Sequence, residues 1–249
     1  MYAAEPLGGH SLTCGKMLTA YDISFLQGKA SSLPVGGRIA FWAEEFLGVP
    51  YDTDPLGAYV RSEKVVCDSE VDCMYLVFRA VELATSRTPD EAVERALDLR
   101  FKTKGRVEGD RVVNYDERFD YAEDMVASGK WGEDVTATLG RVDKLAGSRG
   151  RESYTYLPMS ELSKLEVYGR LKNGDLVFFM KNPAKRVVGE AVGHLGIIEV
   201  EGKGVFLIHA SGTKKSAASA GGGFVKKTEL RAYLRGTAFI GVQVTRFTE

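Results

Sequence analysis

Cys73, His194 and His209 are the residues whose types and settings suit covalent chemistry. Cys73 heads the apolar run DCMYLVFRAVELA, His194 lies in GHLG, and His209 lies in LIHAS. A cysteine hydrolase needs a thiolate, a base to generate it and a group to orient that base. A free thiol is mostly protonated at neutral pH; a helix start and a nearby imidazolium favour the thiolate. Bland readings compete with this one. A cysteine on an apolar helix face is most often a small buried hydrophobe. A lone histidine at a strand edge is most often structural, and a Cys and a His somewhere in one chain form a weak signal. The same three residues lack the fourth ligand or paired cysteines of a zinc site, so no metal is expected. The remaining histidine, His10, sits in a Gly-rich start and reads as a loop residue. Cys14 and Cys67 have no comparable setting and read as structural or incidental, with a disulfide between them open if the protein is exported.

The elements that must position these residues follow from periodicity. In residues 38–47, Ile39, Trp42, Ala43 and Phe46 recur at helical spacing, and Gly48 and Pro50 end the pattern. In residues 72–84, Cys73, Leu76, Val77, Ala80 and Ala84 share one helical face, with Cys73 in the first turn. Thr88-Pro89-Asp90-Glu91 has a capping-box pattern with Pro in the first turn, opening a third helix. Residues 100–150 mix charge and aromatics without a clear period. LVFFM (176–180), LGIIEV (195–200) and VFLIHA (205–210) are short β-prone runs separated by turn residues, the last two reading as a hairpin. FIGVQVTRF (239–247) reads as a final strand and SAASAGGG (216–223) as a flexible loop. If the hairpin forms, both imidazoles lie near one end of the sheet, one able to face the thiol and the other to hold its partner's ring. Helices first and strands second give an α+β class with N-terminal helices packed on a C-terminal antiparallel sheet. Residues 1–34 read as an irregular lead-in with a short helix near Tyr21–Leu26, and residues 35–249 as one domain.

Composition narrows the partners. The chain has 249 residues, 44% apolar, and a formal net charge of −1. That balance argues against nucleic acid, which demands a basic excess. No apolar run reaches the roughly 18 residues of a membrane span. No signal pattern is visible at the N-terminus, so the protein is either cytoplasmic or, if a signal has been removed, an envelope or secreted protein.

VDC at the head of an apolar helix, then GHLGII, then LIHAS, resemble the NlpC-type, papain-like cell-wall cysteine peptidases. RIAFWAEEFLGVPY, DPLG, ERFDY with a downstream Trp, LKNGDLVFF and LRAYL…GVQVTRF resemble the N-acetylmuramoyl-L-alanine amidase-like branch, over roughly residues 38–247. The resemblance implies a papain-like α+β fold, with Cys73 as nucleophile, His194 as base and His209 as orienting group. It implies hydrolysis of an amide in a peptidoglycan-derived peptide, either the muramoyl–alanine amide or a stem-peptide link, without a cofactor. Arg118 and Tyr121 match a family segment near the site, and Asp175 matches a family position that reads here as a turn residue. Tyr51 and the Asp54-Pro55-Leu56-Gly57 loop are expected to line the cleft. Two departures stand out: Asp120 precedes Tyr121 where the family has His, and Met74 follows the nucleophile in place of a small hydroxyl residue. Two rival readings share the features: a papain-like cysteine acyltransferase, passing the same thioester to an amine or lipid, and a non-catalytic module that binds wall peptides.

Overall fold

The computed structural model describes residues 18–248. Its first part is helical: α1 (Ala20–Ala30), α2 (Val35–Glu45), the short α3 (Ala58–Arg61), α4 (Cys73–Ala84) and α5 (Pro89–Leu99). Local chemistry sets their ends. Thr19 and Asp22 form a reciprocal capping box on α1. Thr88 accepts the Glu91 N–H to cap α5, with Pro89 in its first turn. Just after α2, Gly48 takes a left-handed φ of +85°, which reverses the chain at little steric cost. Residues 20–30, placed by the sequence within the lead-in, form a helix of about three turns. Its Ile23 and Leu26 enter the main core.

The second part holds a small hairpin, β1 (Val107–Glu108) with β2 (Arg111–Val112), then α6 (Ala122–Ser128), β3 (Glu133–Asp134), α7 (Thr136–Leu139), β4 (Asp143–Ala146) and β5 (Ser153–Pro158). It continues through α8 (Met159–Leu162), α9 (Leu165–Tyr168), β6 (Leu176–Met180), β7 (Val192–Glu201), β8 (Gly204–Thr213), β9 (Gly222–Glu229), α10 (Leu230–Arg235) and β10 (Gly241–Arg246). One antiparallel sheet has the order β4-β5-β10-β6-β7-β8-β9, with β3 added against β10. The expected hairpin is β7 and β8, turning at Gly202 (φ +58°). β9 begins within the stretch read as a flexible loop, because Gly222 and Gly223 accept extended positive-φ backbone and FVKKTE then pairs along β8. The architecture is therefore α+β, with helices leading and a large antiparallel sheet following.

The sheet is buried on both faces, which is why LVFFM shows no polar alternation. Leu176, Phe178 and Met180 enter a core shared with Trp42, Phe46, Phe78 and Leu76, where α4 packs on β7 and β8. Val177 and Phe179 enter a second core with Leu157, Leu162, Val167, Leu207, Leu230 and Val242. In the main core α4 also carries buried charge. Arg79 donates to both oxygens of Asp68 (2.8 and 2.9 Å) and to Glu82 (3.2 Å), while Arg100 forks onto Glu82 (2.6 and 2.7 Å). Tyr75 adds a hydroxyl bond to Asp68 at 3.0 Å. The opposed charges satisfy one another, as burial of charge demands. They lock α4, which begins at Cys73, onto the segment that precedes it.

Candidate active site

Cys73 is the first residue of α4 and is half-buried against the main core. Asp72 caps the helix: its Oδ1 accepts the N–H groups of Met74 (3.1 Å) and Tyr75 (2.8 Å). The backbone N–H of Leu195, the residue after His194, acts electrostatically on the thiol and favours its anion. That interaction links the start of the helix to the strand that carries the candidate base.

His194 and His209 project from neighbouring strands, with His194 Nε2 2.8 Å from His209 Nδ1. The rings meet nearly edge to face, at 85°. An aromatic box encloses them. Phe239 lies parallel to His194 (6.4 Å, 8°), Tyr233 stacks on it (6.1 Å), and Phe179 flanks it (6.0 Å). Tyr233 also sets a T-shaped contact on His209 at 4.9 Å. These aromatics belong to the second core, whereas Cys73 packs against the main one. With Nε2 of His194 turned to His209, Nδ1 is the nitrogen left for a thiol proton. A base at Nδ1 carries its own hydrogen on Nε2 and donates it to His209 Nδ1, which puts the His209 hydrogen on Nε2. That atom is buried without a hydrogen-bond partner, and His209 itself is only 2% exposed.

The chain after Gly48 completes the surroundings. Gly48 N–H and Val49 C=O pair with Val225, Tyr51 N–H donates to Gly223, and Pro50 and Asp52 pair with Val71, just before Asp72. This segment thus bridges β9 and the approach to Cys73. Tyr51 is buried over Gly212, where a Cβ would lie 2.2 Å from the ring. Its hydroxyl is pushed far above the usual phenol range, first by burial and then by Cys73, Asp72 and Asp52. Lys214, in the β8–β9 connection, holds Asp72 Oδ2 at 2.8 Å.

The other expected residues are placed differently. The Arg118 guanidinium is engaged by Asp120 (2.7 Å) and the Tyr115 carbonyl (2.8 Å). The Tyr121 ring lies under the Arg149 guanidinium at 3.3 Å. Arg149 pairs with Glu123, which accepts the N–H groups of Ala191 and Val192 where β7 begins, so this group buttresses the strand carrying His194. Asp175 has a turn role and more: it accepts the Lys172 N–H (2.9 Å) and a two-pronged bond from Arg246 (2.6 and 2.7 Å). Cys67 is buried and disulfide-bonded. Cys14 and His10 lie outside the described residues. Sequence reasoning missed Tyr233, Phe239 and Lys214. No local period links them to Cys73, and Lys214 borders the stretch read as flexible.

The electrostatics run against the expectation of a helix-start thiolate. Burial, then Asp72, pushes the Cys73 thiol up to about 12, and the Leu195 N–H and Lys214 only partly oppose that. Burial pushes His194 down to about 4, with Asp72 raising it and Lys226 lowering it. His209 falls to about 3 for want of solvent and because of His194 and Lys226. With these shifts the thiol and both imidazoles are uncharged near neutral pH. The capping carboxylate and desolvation outweigh the macrodipole, whose end is already occupied by Asp72.

No protein-family model matches the chain, and no curated protein does. Among solved structures, an N-acetylmuramoyl-L-alanine amidase from Bacteroides uniformis ATCC 8492 aligns with a TM-score of 0.63 at 21% identity, over 86% of this chain and 99% of that one. A Legionella pneumophila str. Philadelphia 1 protein of the DUF1460 family aligns with a TM-score of 0.68 at 15% identity, over 90% and 93%. A Bacteroides fragilis protein with a provisional xylanase name aligns at 0.59 and 20% identity, over 82% and 98%. The chain shares its fold with proteins carrying different functional names, so its activity has to be argued from its own residues.

Proposed function

We propose that this protein is a cysteine-dependent hydrolase, papain-like in plan, that cuts an amide bond in peptidoglycan-derived peptides. The observation that carries the reading is the His194–His209 bond of 2.8 Å, together with a helix-start cysteine whose anion is favoured by the N–H of Leu195, the residue after His194. Nucleophile, base and orienting group are the parts that amide hydrolysis through a thioester requires. The fold shared with an enzyme named for the muramoyl–alanine amide supports the substrate class.

In this mechanism the substrate carbonyl docks over Cys73. His194 Nδ1 takes the thiol proton as the carbon–sulfur bond forms, because neither group is ionised beforehand. The Cys73 N–H, at the start of α4, is the donor for the developing oxyanion; one such donor is worth roughly 3 kcal/mol in comparable sites. The imidazolium then protonates the departing amine. Water attacks the thioester with His194 again as base, releasing the acid and the free thiol. His209 holds His194 in the productive tautomer, a role that carboxylates fill elsewhere. Tyr51 provides a polar anchor near the thiol, whereas Arg118 and Tyr121 are held by Asp120 and Arg149.

Incubation with defined muropeptides, read by mass spectrometry, tests the reading. Hydrolysed products are expected, with the fragment masses naming the scissile amide. Transfer of the acyl group to an added amine in preference to water, or intact peptides after prolonged incubation, would overturn it.

A further inference from the structure

Lys214 connects three parts of the site that lie far apart in the chain. Its Nζ is 2.8 Å from Asp72 Oδ2 and 3.9 Å from Asp52 Oδ2, and it lies 5.5 Å from the Tyr51 ring centroid. The next residue is pinned, with the Lys215 N–H donating to the Thr53 carbonyl at 2.7 Å. Asp72 divides its carboxylate, one oxygen on the helix cap and the other on Lys214. Asp52, 2% exposed, divides its own between the N–H groups of Asp54 and Ala58 (2.8 Å each), which shapes the loop after Tyr51. One ammonium therefore touches the cap of the nucleophile helix and the loop near the thiol, and it directly follows β8, the strand bearing His209.

We propose that Lys214 is a positioning residue for the nucleophile, which neutralises the Asp72 carboxylate so that it does not oppose formation of the Cys73 thiolate. The proposal rests on the reading of Cys73 as nucleophile. A carboxylate next to a thiol in a desolvated site disfavours a second negative charge there, and an ammonium held on that carboxylate offsets it. The groups around the thiol agree. Asp72 comes from its own helix, the Leu195 N–H and His194 from β7, Tyr51 from the preceding loop and Tyr233 from α10. Tyr51, Tyr233 and His194 are neutral at neutral pH, so Asp72 and Lys214 set the local charge. Glu70 and Asp52 also face Lys214, and Lys226 acts on the histidines. The Cys73 thiol is raised by Asp72 and lowered by Lys214, in keeping with this arrangement. The Lys214 side chain is 30% exposed, so solvent and salt damp the effect without removing it.

The rate of Cys73 alkylation by iodoacetamide, followed against pH without substrate, tests the proposal. Lys214→Met is expected to slow alkylation near neutral pH by about three- to tenfold and to move the profile to higher pH. Lys214→Gln should do the same, and Lys214→Arg should keep the wild-type profile. Asp72→Asn, which preserves an oxygen for the cap, should speed alkylation. In that background Lys214→Met should lose most of its effect. A wild-type profile in both Lys214→Met and Lys214→Gln would overturn the proposal, as would an undiminished Lys214→Met effect in the Asp72→Asn background. The hydrolase reading fails separately: if Cys73→Ala still cleaves muropeptides, that reading falls while the Lys214–Asp72 coupling is judged on alkylation alone.

Discussion

The two sides of the site solve different problems. On the helix side, Cys73 is surrounded by charge: Asp72 on the cap, Lys214 on Asp72, and behind them the buried Asp68–Arg79–Glu82–Arg100 network. On the sheet side, His194 and His209 sit among Phe179, Tyr233 and Phe239, with one polar contact between the two rings. In the proposed reading, charge on one side fixes position and tunes the thiol. Apolar packing on the other keeps the imidazoles neutral and able to accept a proton. The contrast predicts a nucleophile activated during attack, not one stored as an ion pair.

Deleting the proposed base should give the largest change on the sheet side. His194→Ala is expected to lower amide cleavage by about 10²- to 10⁴-fold, the range that general-base catalysis contributes. His209→Ala should cost less, about tenfold, because an orienting group holds geometry while the base moves the proton; members of such a unit are non-additive, so the double variant should resemble His194→Ala. Equal losses in the two single variants would erase the division of roles.

The resting charge state is tested by thiol reactivity. Wild-type Cys73 alkylation should rise steadily with pH from about 5 to 9, as a thiol of raised pKa requires. A flat, fast plateau across that range would mean a preformed thiolate–imidazolium pair and would contradict the neutral site. Stability offers a complementary reading with a definite sign. His194 and His209 have folded values of about 4 and 3, below the ordinary histidine value. The unfolded chain therefore binds protons first as pH falls. Their contribution is fully present above about 6.5 and is lost progressively below it. Chemical denaturation at stepped pH should show that decline, and His209→Phe should flatten it.

The smallest expected effect is at Arg118. Its guanidinium is already held by Asp120 and the Tyr115 carbonyl, so Arg118→Ala should change cleavage within about threefold, the scale of a surface ion pair. Loss confined to carboxylate-bearing muropeptides, with amidated ones spared, would show that Arg118 leaves Asp120 to meet the substrate.

Much of this arrangement could be read from local patterns. The spacing of Cys73, Leu76, Val77 and Ala80 announces α4, and the Gly202 turn between apolar runs announces the hairpin that brings His194 to His209. What escaped is long-range. Arg79 and Glu82 are charges on an apolar helix, and both are 1% or less exposed because Asp68 and Arg100 arrive from elsewhere to pair with them. Tyr233 and Phe239 flank the end of a short helix whose docking no periodicity reveals. The thiol's direction was misjudged for a physical reason. A helix start favours negative charge, but its cap had already placed an aspartate there, and burial did the rest.

The central claim is that Cys73 makes and breaks the acyl bond. Its most direct test is the cleavage rate of a defined muropeptide by wild-type protein and by Cys73→Ala, measured side by side with thermal unfolding to show that both are folded. The account predicts turnover by the wild type and a loss of about 10³-fold or more in the variant. Cleavage by Cys73→Ala at the wild-type rate would contradict it.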